Sequence, residues 1–138
     1  MEKVKQQAAS NDKYAKRHAE MVLAELAKNG RVDATYPYLV QVLRFGDDLT
    51  MIALAGEVVV DYSLRLKAEL AGTPVWVAGY TNDVFGYVPS ERVLREGGYE
   101  AEGAILYYGT MPTPFLPSVE ERIVAKVHEL VKQVRSGK

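Results

Sequence analysis

Apolar residues recur along this chain with two alternating periods, and the switches between them mark out the elements. Ala15, Ala19, Val22 and Leu26 stand at i, i+4, i+7 and i+11, one face of a 3.6-residue repeat, so the first 28 residues read as helix. Ser10-Asn11-Asp12 caps that helix or interrupts a longer one, and Asn29-Gly30 stops it. After Tyr36-Pro37-Tyr38 a strand runs from Leu39 to Phe45, with Leu39, Gln41, Leu43 and Phe45 on one side. Gly46-Asp47-Asp48 is a turn, and Leu49 to Ala55, apolar almost throughout, is a buried second strand of a hairpin. Gly56 closes it and a helix begins near Glu57, its inner face marked by Val59, Tyr62, Leu66 and Leu70. Ala71-Gly72-Thr73-Pro74 ends this helix ahead of a third strand, Val75 to Ala78. Strand, helix and strand with short joints predict a right-handed β-α-β crossover with parallel pairing.

Pro89-Ser90 opens a short helix that Gly97-Gly98 ends, and Tyr99 to Pro117 reads as loop. Ser118-x-x-Glu121 has the form of a capping box for a last helix whose buried stripe is Ile123, Val127, Leu130 and Val134. The order predicts a single small layered α/β domain, a β-hairpin plus a β-α-β crossover with flanking N- and C-terminal helices.

A chain of 138 residues can bury a core without disulfide or metal staples. A net charge of −1 gives no electrostatic footprint for nucleic acid. The absence of cysteine excludes disulfides and thiolate metal sites. No run approaches the roughly 20 apolar residues of a membrane span. The polar start, Met1 to Gln7, lacks a signal-peptide core, which makes a cytoplasmic location the default expectation.

Candidate chemistry concentrates in the loop Gly79-Tyr80-Thr81-Asn82-Asp83-Val84-Phe85-Gly86-Tyr87-Val88-Pro89-Ser90 and in Ala55-Gly56-Glu57. Both follow strands, and strand-end loops are where a rigid scaffold presents functional groups. These two segments, with Val58 to Lys67 and Glu96-Gly97-Gly98-Tyr99-Glu100, resemble the neutral/alkaline ceramidase family, more narrowly its bacterial ceramidase-like members. The likeness spans roughly Tyr36 to Gly109 and corresponds to the last part of that family's catalytic domain. It implies a zinc-dependent N-acyl amide hydrolase in which two histidines, a glutamate and a tyrosine hold the metal. Glu57 and Tyr87 match the glutamate and the tyrosine. The family's histidines lie upstream of the matched region, and His18 and His128 do not match their motifs. The resemblance therefore implies zinc in a complete family enzyme, none in this chain, and no hydrolysis by the chain alone.

Each candidate also has a plainer role. Glu57 suits the first turn of a helix, where an acid complements the dipole. Asn82 and Asp83 are turn formers as readily as ligand contacts. Tyr80, Tyr99, Tyr107 and Tyr108 are pocket walls or buried aromatics with wet hydroxyls. Arg65 and Lys67 read as a solvated helix face, and His18 and His128 as edge or surface helix residues. Beside the hydrolase stand two alternatives, a non-catalytic binding or assembly module and a small-molecule binder using the aromatic loop. The apolar strands predict a homodimer or packing against the missing part of an enzyme, unless the helix from Val4 to Leu26 folds back over the sheet.

Overall fold

The computed structural model describes residues 1–33, 35–109 and 111–136. Helices α1 (Glu2–Ala8) and α2 (Lys13–Asn29) lead into strands β1 (Val40–Phe45) and β2 (Leu49–Leu54). Then come β3 (Glu57–Val58), α3 (Val60–Glu69), β4 (Val75–Ala78), β5 (Tyr87–Val88) and α4 (Glu91–Glu96). A π-helical turn (Tyr99–Gly103) runs straight into α5 (Ala104–Tyr108), and α6 (Val119–Ser136) follows.

The main sheet has the order β1-β2-β4, antiparallel in the hairpin and parallel across the crossover, as the two periods predict. Helices α3 and α6 cover one face, where Ile52, Leu54, Tyr62, Leu66, Val124 and Val127 form the centre of the core. Tyr62 is fully buried, and its hydroxyl donates to the Pro89 carbonyl at 3.1 Å, so the ring brings a satisfied polar end into the core. The opposite face has no such cover. Register sets Leu43, Met51 and Trp76 in one row across it, and Leu43 and Trp76 are exposed, as are Leu39 and Phe45. The first helices do not close this face; α2 packs on α1 and α5 instead.

Several local expectations change. Asp12 separates α1 from α2, its Oδ1 accepting from the amides of Tyr14 (2.8 Å) and Ala15 (3.1 Å). Residues 99–108 are helical rather than loop, because Gly98 and Gly109 bracket a helix instead of breaking one. The last helix buries Ile123, Val124, Val127 and Val131, with Leu130 and Val134 at the margin, so its stripe is rotated from the expected one. Glu121 is drawn away from the helix start by Arg65, whose Nη1 and Nη2 bond its two oxygens at 2.5 and 3.1 Å.

Arg65 is thus no idle solvated group. Its guanidinium also reaches Glu69 (2.6 Å) and Glu120 (3.0 Å), and Glu69 in turn bonds His128 at 2.6 Å, tying α3 to α6. His18 is likewise not at the surface. It is buried, with Nε2–H donating to the Met111 carbonyl at 2.8 Å. His128 and Lys67 do lie at the outside of their helices. Among the described residues no helix is long and apolar enough to cross a membrane.

Candidate functional site

Gly56 is the hinge on which the site is built. With φ at +71° it turns the chain out of β2, and its amide donates to the Asp83 carbonyl at 2.8 Å. A side chain does not fit there: a Cβ would lie 2.8 Å from Val88 Cγ2 and 2.9 Å from the Gly86 carbonyl. The next amide, Glu57, donates to that same Gly86 carbonyl at 2.8 Å, and β3 pairs with β5 in parallel. Glu57 therefore belongs to a short strand, and helix α3 starts at Val60 with Val59 as its cap residue, which corrects the helix-start role.

This ladder places Glu57 directly opposite Tyr87. Side chains at paired positions share one face of a ladder, which sets the Tyr87 side chain on the side of Glu57. Tyr108 reaches Glu57 Oε2 at 3.3 Å from α5. A carboxylate beside a phenol favours the protonated phenol. Glu57 accordingly pushes the Tyr80 hydroxyl up to about 12 and raises that of Tyr87, burial adding to both. For Tyr108 burial is the larger cause and the Glu57 charge the second.

Tyr99 comes in as a wall. Its ring meets Tyr87 edge to face at 5.6 Å and 74°, while Tyr108 meets Tyr87 at 6.4 Å and 79°. The arc continues through Tyr107 (5.7 Å from Tyr99) to Tyr14 (4.4 Å from Tyr107). Tyr87 and Tyr108 also line a small cavity of about 10 Å³ with Phe85, Ala101 and Ala104.

Asn82 and Asp83 hold the loop rather than join the cluster. Asn82 has φ at +65° in a tight turn closed by the Asp83 amide on the Thr81 carbonyl at 2.8 Å, and its Nδ2 donates to Gln41. The Asp83 carboxylate accepts from the Tyr36 hydroxyl at 2.7 Å. Of the sequence candidates, then, Glu57, Tyr80, Tyr87 and Tyr99 come together, and Asn82 and Asp83 do not.

Tyr108, also among the pocket-wall candidates, completes the group, and Tyr107 joins the arc. Tyr14, 85 positions before Tyr99, is not among those candidates, and no local pattern links it to them.

The donors present do not suit a zinc ion by themselves. Zinc sites draw on imidazole, thiolate or carboxylate, with three or four protein ligands. Here one carboxylate is surrounded by phenols that its own charge keeps protonated. Among the described residues no three His, Cys, Asp or Glu side chains group closely enough to hold a metal. Comparison with known protein families, curated proteins and solved structures finds no match to this chain.

Proposed function

We propose that this domain is the carboxylate- and phenol-bearing portion of a ceramidase-like N-acyl amide hydrolase and is catalytically silent by itself. The observation that supports this reading is the ladder pairing of Glu57 with Tyr87, the two residues matching the family's glutamate and tyrosine. Imidazole ligands would have to come from another polypeptide, and no catalytic step is assigned to this chain alone.

The purified chain, given zinc and an N-acyl sphingosine, is expected to release no fatty acid. Zinc-dependent release abolished by both Glu57→Gln and Tyr87→Phe would show that the chain is complete. Co-expression with the polypeptide encoded directly upstream of Met1 is expected to give release that Glu57→Gln removes. Release by that pair that is indifferent to Glu57→Gln would refute the assignment.

A second reading, a module that self-associates, is favoured by the uncovered row Leu43, Met51 and Trp76 with Phe45 beside it. Apolar patches of this kind mark interfaces, and a second copy closes the surface by two-fold symmetry. Light scattering at micromolar concentration separates the outcomes: a mass near 15.3 kDa defeats the dimer, and twice that supports it.

A further inference from the structure

Tyrosine rings gather beside Glu57, and among the described residues its carboxylate has no cationic partner. No ion pair among the described residues includes Glu57. The Tyr108 hydroxyl donates to it at 3.3 Å, and Tyr87 stands opposite it on the ladder; neutral phenols share its charge without cancelling it. Around it the rings of Tyr99 and Tyr108 stand at 74° and 79° to that of Tyr87, angles suited to the walls of an open box. Tyr80 is 57% exposed and Tyr99 46%, so solvent reaches these rings.

The same aromatic arc already attracts cations where the chain supplies them. Lys13 Nζ lies 4.8 Å from the centre of the Tyr14 ring and Arg17 Cζ 5.7 Å from it. Among the described residues no cationic side chain stands over Tyr80, Tyr87, Tyr99 or Tyr108. Electron-rich ring faces and an unpaired carboxylate at one open position select a cation. A bulky, weakly hydrated one is preferred, because it gives up little hydration to reach the rings.

We propose that Glu57 with the rings of Tyr80, Tyr87, Tyr99 and Tyr108 forms a surface cage for an alkylated ammonium group. The exposure of Tyr80, Tyr99 and Tyr108 suits a small cation or a headgroup projecting from a larger molecule. The cage needs ring faces and one charge, and no metal. It is independent of the hydrolase reading, which stands or falls on fatty-acid release.

The test is an amide NMR titration of the whole chain with tetramethylammonium chloride at constant ionic strength, with 3,3-dimethyl-1-butanol as the neutral isostere. Saturable shifts are expected at Glu57, Tyr80, Tyr87 and Tyr99, with a dissociation constant on the order of millimolar. The alcohol is expected to give none. Glu57→Gln, which keeps the shape and removes the charge, is expected to weaken binding about tenfold. Tyr99→Leu is expected to weaken it about threefold. Tyr87→Phe, which keeps the ring, stays within about twofold of the native chain, unlike its effect on a site in which the phenol oxygen is a ligand. Shifts that do not saturate by about 100 mM, well beyond a millimolar constant, overturn the proposal. So does equal binding of the alcohol, or indifference to both Glu57→Gln and Tyr99→Leu.

Discussion

Replacing Gly56 by alanine tests whether the hinge between β2 and β3 is a conformational requirement, a packing requirement, or both. The residue sits at φ +71°, where a side chain costs about 1–2 kcal/mol in backbone strain. The added methyl would also meet Val88 Cγ2 at 2.8 Å and the Gly86 carbonyl at 2.9 Å. Neither neighbour yields easily, since Val88 is fully buried and the Gly86 carbonyl accepts the Glu57 amide. Overpacking of this kind costs about 2–3 kcal/mol more.

Gly46 supplies the control. Its φ is +57°, yet nothing lies within 4 Å of where an alanine methyl would stand, so Gly46→Ala carries strain alone. At roughly 3–4 °C per kcal/mol for a chain of this size, Gly56→Ala should lower the melting midpoint by about 9–20 °C. Gly46→Ala should lower it by about 3–8 °C. Differential scanning calorimetry on the two variants and the native chain gives the comparison. If both fall within about 2 °C of each other, less than 1 kcal/mol apart, the close approach at Gly56 contributes nothing and the packing argument fails.

Removing the guanidinium in Arg65→Met strips Glu69, Glu120 and Glu121 of their shared partner and should cost about 1–2 kcal/mol in urea unfolding. Bonds from His128 and then Arg65 hold the Glu69 carboxyl below its ordinary value, and Arg92 and then Ser90 do the same for Asp61. These contributions are fully present above about pH 5, beyond the unfolded carboxylate range, and fade as pH falls through the depressed folded values. Arg65→Met should therefore show a shallower acid dependence than the native chain; an unchanged slope would remove Arg65 from the account. Tyr62→Phe leaves the Pro89 carbonyl without its buried donor, and a loss of about 1–2 kcal/mol by chemical denaturation is expected. No loss would mean that the bond adds nothing net.

The hairpin and the crossover were legible because period-two and period-3.6 stretches alternate cleanly, with turn formers at each joint. That Glu57 and Tyr87 lie together was legible, but not that Glu57 is a strand residue. Its strand is two residues long, and only the distant partner Tyr87 makes it one. The helical run 99–108 was missed because it is short and starts directly after Gly97-Gly98, which end the preceding helix. His18 could have been placed: it falls between Ala15 and Val22 on the buried stripe of α2. What periodicity cannot reveal is that Met111, 93 residues away, offers it a carbonyl. The capping-box reading of Glu121 failed for a related reason, since a guanidinium from another helix outcompetes the local amide.

Helix α5 is five residues long, far below the length at which a helix sustains itself in water. Its terminal carbonyls, Leu106 and Tyr107, accept the Arg17 guanidinium of α2, and His18 on the same helix secures Met111 just beyond it. The order of the tyrosine wall is thus lent to it by a helix some ninety positions earlier in the chain. In hydrogen exchange, α2 and residues 104–109 are therefore expected to open together. Whatever peels α2 away dissolves the wall with it, and leaves Glu57 and Tyr87 standing on their ladder alone.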